Sequence, residues 1–315
     1  MVLTQIMIRQ FRHAIAIMGA TATGKSELAI RLAETYGGEV ISMDSRQVYR
    51  GLDIGTGKIS PEDQRRVPHH LIDVLDPHEV CTAGSHLRRA VAARDEIAAR
   101  GRLVIYAGGT GLYFRVLFRG LIDTNIADEE LDGVRQSLAD TPTEELFGEL
   151  QLVDPERASE LSPRDRVRIQ RAVEIYRCTG QTYSDHVKHR HRNPEFDGLK
   201  IVLSMPRDRL RERIRERTRE LYEAGWVEEV RRLLAAGVTI NAPAMDSLGY
   251  DLIAGAIERG EDPGATFDDV VMLTQQYAKR QETFFRSESD AVWFDMTDAQ
   301  TMTKIDGLVR ACLGL

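Results

Sequence analysis

A short apolar run followed by a glycine-rich loop is the feature that most restricts how this chain folds. AIAIM occupies positions 14–18, and GATATGKS follows at 19–26. The spacing G-x-x-x-x-G-K-S predicts a buried strand, a loop whose N–H groups surround phosphate oxygens, and a helix. The motif leaves the ligand open, and it assigns phosphate contacts to Gly19, Ala20, Thr21, Ala22, Thr23, Gly24, Lys25 and Ser26.

Further apolar runs rich in β-branched residues recur along the chain. They lie at 40–43, 70–74, 103–107, 201–205 and 291–294, and helical patterns at 25–36, 84–100 and 207–236 separate several of them. Strands alternating with helices predict a parallel sheet with helices on both faces. We therefore expect an α/β fold of the P-loop NTPase type.

The strand pattern disappears between 123 and 194, where the sequence is helical and charged. This change predicts a mainly helical domain inserted into the sheet domain. The expected boundaries are 1–122 for the first part of the α/β core, 123–195 for the insertion, and 196–315 for the second part with C-terminal helices.

The composition is that of a protein without membrane spans or a disulfide framework. No apolar run approaches the roughly 18 residues that a membrane span needs, and the N-terminal segment lacks a cleavage-site pattern, so we expect a cytoplasmic location. Cys81, Cys178 and Cys312 are far apart and outside any C-x-x-C motif. The adjacent His69 and His70 point to opposite faces of a strand, which argues against shared metal ligation.

Two other segments place polar groups at predicted strand ends. Asp44 follows the second strand, where a carboxylate can act as a general base, hold Mg²⁺ through water, or simply cap the next turn. The Gln47 amide is able to pair with the N6 and N7 edge of adenine. Thr110, after Gly108-Gly109, offers a hydroxyl at a helix start, either for an anion or as an N-cap.

Several longer motifs accompany these residues. They are DSRQVYRGLDIGTGK at 44–58, VPHHLIDV at 67–74, GGTGLYF at 108–114, DPERASEL at 154–161, RIQRAVEIY at 168–176, RDRLRERI at 207–214 and YAKRQETFFR at 277–286. Together they resemble the tRNA dimethylallyltransferase (tRNA isopentenyltransferase) family over nearly the whole chain.

The resemblance implies transfer of a dimethylallyl group from dimethylallyl diphosphate to N6 of adenosine 37, beside the anticodon of tRNAs that read codons beginning with U. It implies Mg²⁺ bound through Ser26, and we expect a monomer. The implied catalytic residues are Asp44, as the base that takes the amine proton, with Thr110 and Arg217 on the diphosphate side. Arg217 lies in an Arg- and Glu-rich stretch that would also suit a solvated helix face.

The same resemblance places the tRNA anticodon loop on the insertion and on the α/β core. A net charge of −7 disfavours RNA binding in general, but basic residues crowd 164–192. Asp246 and Asp251 stand where the family commonly has basic residues. The implied tRNA contacts are Asp44, Ser45, Arg46, Gln47, Thr110, Asp132, Val167, Arg168, Ile169, Gln170, Arg171, Lys279 and Arg280.

Other functions remain open from the sequence. An adenylate isopentenyltransferase would use AMP, ADP or ATP as acceptor and has no need of the basic insertion. A small-molecule kinase would account for the phosphate loop but not for DSRQVY or VPHHLID. A non-catalytic RNA-binding P-loop protein would bind tRNA without any chemistry at Asp44.

Overall fold

Parallel strands form the centre of the fold in the computed structural model, which describes residues 14–120, 126, 128–188, 195–288 and 290–315. Within these ranges six strands make one sheet in the order β3-β2-β4-β1-β5-β6. The strands are β1 (Ala14–Gly19), β2 (Gly38–Ser42), β3 (His69–His70), β4 (Leu103–Gly108), β5 (Leu199–Ser204) and β6 (Val292–Asp295). Each pairing in the sheet is parallel, as the sequence predicts.

Helices connect the strands and cover the sheet. In chain order they are α1 (Lys25–Tyr36), α2 (Pro61–Arg66), α3 (Ala83–Ala99), α4 (Gly111–Arg119), α5 (Asp128–Leu138), α6 (Thr143–Val153), α7 (Pro155–Glu160), α8 (Arg166–Thr179), α9 (Tyr183–Lys188), α10 (Arg207–Glu223), α11 (Trp226–Ala235), α12 (Tyr250–Glu258), α13 (Phe267–Phe285) and α14 (Thr301–Leu313). Short 3₁₀ helices lie at Pro243–Met245 and Pro263–Thr266. Within the described residues, the helices lack the combination of length and apolar character that a membrane crossing requires.

The sheet core explains why the strands read as continuous apolar runs. β1 lies between β4 and β5, so both of its faces are covered, and Ile15, Ile17, Ile105 and Ile201 are almost completely buried. Buried apolar surface contributes about 25 cal/mol per Å². The central strands are therefore a rigid base for the loops that leave their carboxyl ends.

The predicted strand at 70–74 is wrong beyond its first residue. Only His69 and His70 pair with β2, and the chain then turns away. Leu71 and Asp73 have left-handed φ values of 64° and 56°, which a strand cannot accommodate. The turn is held by Lys58, whose ammonium lies 2.5 Å from the carboxylates of both Asp53 and Asp73.

Contacts divide the chain into two units, one of residues 1–118 and 195–315, the other of residues 119–194. The second unit contains α5 to α9, and its core includes Leu146, Leu150, Ile169 and Val173. The Arg166 guanidinium donates hydrogen bonds to the carbonyls of residues 138, 139 and 141 at the end of α5. Arg166 therefore satisfies carbonyls that the helix leaves unpaired, instead of contributing to a basic surface as predicted.

Candidate active site

Three loops meet at the carboxyl ends of neighbouring strands in the first unit. They follow β1, β2 and β4, which are adjacent in the sheet. The loops after β2 and β4 touch directly, because the Thr110 N–H donates to the Met43 carbonyl at 3.2 Å. Gly108 is required at this contact, since a Cβ there would lie 2.2 Å from the Met43 carbonyl oxygen. The carboxyl edge of an open α/β sheet is where such folds bind ligands.

A cavity of about 470 Å³ lies at this edge. Its polar lining includes Lys25, Ser26, Asp44, Gln47, Arg217 and Tyr277. Its apolar lining includes Ile214, Leu221, Trp226, Leu248, Val270 and Leu273. A single cavity thus combines a cationic phosphate loop, a carboxylate and an apolar wall.

The loop after β1 has the conformation expected of a phosphate cradle. Gly24 caps α1 with a left-handed φ of 91°, and Ala22 is also left-handed at 63°. The Lys25 ammonium donates to the Ala20 carbonyl at 2.7 Å. Burial, with a further contribution from the Arg217 cation, lowers the pKa of Lys25 to about 7, and the Asp44 carboxylate opposes this shift. Above about pH 7 the cavity therefore favours the neutral amine of Lys25, and a negatively charged ligand beside it would favour the ammonium.

Gln281 on α13 joins two of the three loops, although sequence reasoning did not single it out. Its side chain is 6% exposed. Its Oε1 accepts from the Thr21 N–H at 2.8 Å, and its Nε2 donates to the Gly109 carbonyl at 2.9 Å. Gln281 lies within the YAKRQETFFR stretch, but the predicted residues of that stretch were the exposed cations Lys279 and Arg280. Of these two, only Arg280 lines the cavity.

Asp44 uses its two carboxylate oxygens differently. Oδ1 accepts from the N–H groups of Arg46 at 2.8 Å and Gln47 at 3.3 Å, which is the capping role considered from the sequence. Oδ2 accepts no hydrogen bond from the residues that the structure describes, and Asp44 lines the cavity. The Thr110 hydroxyl accepts from the Ser45 N–H at 3.1 Å, so it lies beside the same loop. One carboxylate oxygen therefore remains available for a ligand.

Arg217 and Tyr277 complete the polar wall. Arg217 is half-buried on α10, and burial lowers its pKa while the Asp44 carboxylate raises it. Burial, followed by the Asp44 charge, raises the pKa of Tyr277 to about 12, so its hydroxyl stays protonated. Arg213, one helical turn from Arg217, is exposed. The helix thus directs one arginine into the cavity and another to solvent.

The Gln47 amide, which the sequence suggests for pairing with adenine, already makes hydrogen bonds within the protein. Its Nε2 donates to the carbonyls of Thr56 at 3.5 Å and Gly57 at 3.3 Å. Pairing with adenine would need one of these amide hydrogens for N7, while Oε1 would accept from the N6 amine. Oε1 also accepts from the Ser42 hydroxyl at 3.5 Å and keeps a second lone pair for a base. Its neighbour Arg46 donates to the Pro243 carbonyl and to Asp246, each at 3.1 Å.

The residues predicted to contact tRNA from the insertion all lie in the second unit. Their surroundings differ: Val167 is 79% exposed, Arg168 is exposed near Asp165, Asp132 pairs with Arg135, and Gln170 and Arg171 both contact Glu174. Ile169 is completely buried, so its side chain supports the helical core and does not reach RNA.

The predicted basic face of the insertion is partly neutralised within the fold. Arg177 makes a two-pronged ion pair with Glu149, at 2.9 and 2.6 Å, and Lys188 pairs with Glu156. The predicted cations at 189–192 lie outside the described residues. Arg164 is exposed. Exposed ion pairs of this kind contribute little to stability and can exchange partners when a phosphate approaches.

Fold and site together define a phosphate-binding α/β protein of the P-loop NTPase-like class, in which a carboxylate faces the phosphate loop across one cavity. The family model described as IPP transferase matches residues 47–288. The tRNA dimethylallyltransferase 1 of Citrifermentans bemidjiense is 46% identical over 286 residues, which cover 89% of this chain and 91% of that protein. This chain belongs to the tRNA dimethylallyltransferase (IPP transferase) family.

Solved structures give the same relationship. The full-length tRNA isopentenylpyrophosphate transferase of Bacillus halodurans matches with a TM-score of 0.70 and 32% identity, and the match covers 96% of each chain. A eukaryotic dimethylallyltransferase solved while acting on tRNA matches with a TM-score of 0.81 and 26% identity, over 94% of this chain and 77% of that one.

Proposed function

We propose that this chain transfers a dimethylallyl group from dimethylallyl diphosphate to N6 of adenosine 37, beside the anticodon of tRNAs that read codons beginning with U. The observation that carries the proposal is the cavity that is lined both by Asp44, whose Oδ2 accepts no hydrogen bond from the described residues, and by Lys25 and Arg217. Relatives named tRNA dimethylallyltransferase support it, as does the neighbour solved while acting on tRNA.

On the donor side, the bond between the allylic carbon and the diphosphate oxygen breaks, and its electron pair leaves with the diphosphate. Stabilising that growing negative charge is the larger energetic task. Lys25, Arg217 and the N–H groups at the start of α1 supply positive charge and donors, and the Thr110 hydroxyl, which lies beside the loop of Asp44, is proposed to assist them. The apolar wall around Trp226 is suited to the hydrocarbon part of the donor.

On the acceptor side, N6 forms the new bond to the allylic carbon and loses a proton. An exocyclic adenine amine is a weak nucleophile, so a carboxylate placed to accept that proton assists the attack. Asp44 is suited to this role because it lines the cavity and its Oδ1 is fixed by two N–H groups, while its Oδ2 accepts no hydrogen bond from the described residues. Enzymes that modify bases in folded RNA draw the base out of its stack into a pocket.

Mg²⁺ is part of the proposal as the ion that neutralises charge on the diphosphate. The described residues include no group of three histidine, cysteine or carboxylate side chains that would hold a metal without help. This fits Mg²⁺, which keeps water ligands and binds through one or two protein groups and substrate phosphates. The exposed Ser26 hydroxyl, at the start of α1, is the protein ligand that we propose.

The same proposal includes the tRNA contacts, the oligomeric state and the cellular location. Lys279, Arg280 and the exposed cations of the insertion would meet RNA phosphates, and sequence readout would come from bases displayed in the single-stranded anticodon loop. We propose a monomer that works in the cytoplasm, where its tRNA substrates are found.

The deciding experiment is mass spectrometry of tRNA nucleosides after incubation with dimethylallyl diphosphate and Mg²⁺. We expect N6-dimethylallyladenosine from an unmodified tRNA with adenosines at positions 36 and 37, and no product when adenosine 37 is replaced or Mg²⁺ is chelated. Equal rates with free AMP would instead indicate an adenylate isopentenyltransferase. Phosphoryl transfer from ATP would indicate a kinase.

A further inference from the structure

Glu229 on α11 is a buried carboxylate that the proposed reaction does not use. It is 2% exposed. Its Oε2 accepts from the N–H groups of Asp53 at 2.9 Å and Ile54 at 2.7 Å, and its Oε1 accepts from the Gly55 N–H at 3.2 Å and the Tyr250 hydroxyl at 2.6 Å. Among the described residues, no lysine or arginine forms an ion pair with it. A charged group is rarely buried without such compensation, and here four donors provide it.

The backbone segment that Glu229 holds lies against the Gln47 side chain. This segment, residues 53–57, lies within the GLDIGTGK part of the longest family-like motif. Its Gly55 packs so closely on Trp226 that a Cβ there would lie 2.0 Å from the indole nitrogen. Its last two carbonyls, of Thr56 and Gly57, are the acceptors for the Gln47 amide.

The hydrogen bonds therefore form a continuous chain from α11 to the cavity. Glu229 fixes three successive N–H groups of segment 53–57, and the Thr56 and Gly57 carbonyls that follow accept from the Gln47 amide nitrogen. Gln47 Oε1 accepts from the Ser42 hydroxyl at 3.5 Å and keeps a second lone pair for an incoming base. If the carboxylate is lost, three N–H groups of the segment lose their acceptor. The segment is then held by Lys58 and by its own turn hydrogen bonds, and the Gln47 amide gains rotational freedom.

We infer that Glu229 is a positioning residue for the acceptor base, acting through residues 53–57 on the orientation of the Gln47 amide. This inference rests on the proposed transfer to adenosine. Glu229 does not line the cavity. Gly55 and Gly57 of the segment that it holds also pack against Trp226 and Arg217 on the donor side, so donor affinity is the readout that separates an effect on the base from an effect on the donor. The phosphate loop is fixed by other contacts, among them those of Gln281.

A residue that merely stabilises the fold would have a different signature. Its loss would lower the fraction of active enzyme and reduce turnover with both substrates in parallel. A positioning residue instead changes kcat/KM for tRNA while leaving donor affinity intact. Its effect should also disappear when Gln47, through which it acts, is already removed.

The test is a double-mutant cycle of Glu229→Gln and Gln47→Ala, with kcat/KM measured for tRNA and the dissociation constant measured for dimethylallyl diphosphate. Glu229→Gln keeps the side-chain shape but replaces one acceptor oxygen by a donor. We expect kcat/KM for tRNA to fall about 10- to 100-fold, the scale on which small misplacements affect catalysis, with donor affinity unchanged within twofold. In the Gln47→Ala background, Glu229→Gln should cost less than about threefold.

Tyr250→Phe provides a second, milder arm should Glu229→Gln fail to fold, because it removes one of the four donors and leaves three. Its effect on kcat/KM for tRNA should likewise shrink in the Gln47→Ala background. Effects that multiply independently in the cycle, or a donor affinity that falls together with tRNA turnover, would overturn the inference while the wild type remains active. An inactive wild type would overturn the proposed function and this inference with it.

Discussion

The protonation of Lys25 gives a prediction that can be worked out from the structure. In the folded protein its pKa is about 7, against an ordinary value of 10.5. At pH 8 about 0.1 of the molecules therefore carry the charge. A bound diphosphate places several negative charges beside the ammonium and favours the protonated form. We expect binding of dimethylallyl diphosphate at pH 8 to take up about 0.9 proton per molecule.

The sign of the pH dependence follows from the same linkage. Between about pH 7 and about pH 10.5 the folded protein binds fewer protons at Lys25 than the unfolded chain does, so this group makes stability rise with pH in that window. The association constant of dimethylallyl diphosphate has the opposite pH dependence. Above about pH 7 this constant should fall about tenfold per pH unit, until the raised pKa of the complex is reached.

Isothermal titration calorimetry without tRNA measures the uptake directly, because the observed heat varies with the ionisation enthalpy of the buffer. Three buffers at pH 8 are sufficient, and Lys25→Gln is the control that should abolish the buffer dependence. Uptake below about 0.2 proton in the wild type, or equal uptake in the variant, would refute the assignment of the shifted pKa to Lys25.

Three further predictions concern single side chains. Asp44→Asn keeps an oxygen for the two capping N–H groups but removes the base, so prenylation should slow by at least about 100-fold while tRNA binding in a filter assay is retained; lost binding would contradict this. Gln281→Leu removes one buried and one part-buried hydrogen bond and should cost about 2 kcal/mol in urea unfolding and weaken donor binding, whereas the exposed Gln276→Leu on the same helix should do neither. Arg166→Ala uncaps α5 and should cost about 2 kcal/mol with faster proteolysis of the insertion, whereas the exposed Arg168→Ala should change stability by less than about 0.5 kcal/mol. Equal effects of the two arginine substitutions would contradict the capping role.

Local patterns explain how much of the fold the sequence could predict. The run at 14–18, the phosphate loop and the helix at 25–36 obey short-range rules, and the structure has this helix at Lys25–Tyr36. The placement of Asp44 after β2 follows from the same rules, because a strand end and its following turn are neighbours in sequence. For these elements the pattern of apolar residues in the sequence agrees with the tertiary structure.

The sequence could not predict contacts that depend on distant partners. Gln281 meets Thr21 across 260 positions, and Glu229 meets Asp53 across 176. Neither residue has a local pattern that distinguishes it from other polar residues on a helix. The false strand at 70–74 has a similar cause, because its β-forming composition is overridden by the left-handed turn that Lys58 stabilises.

The ammonium of Lys58 has a consequence for anyone who recombines or redesigns members of this family. It joins the 44–58 and 67–74 stretches through one side chain that is 4% exposed, and its acid partners come from both. The two stretches therefore form one structural unit whose residues have to match each other, although other residues separate them in the sequence. A chimera that takes one stretch from a distant relative and keeps the other should have a mismatched contact between the two stretches. Crossover points should therefore lie outside residues 44–74.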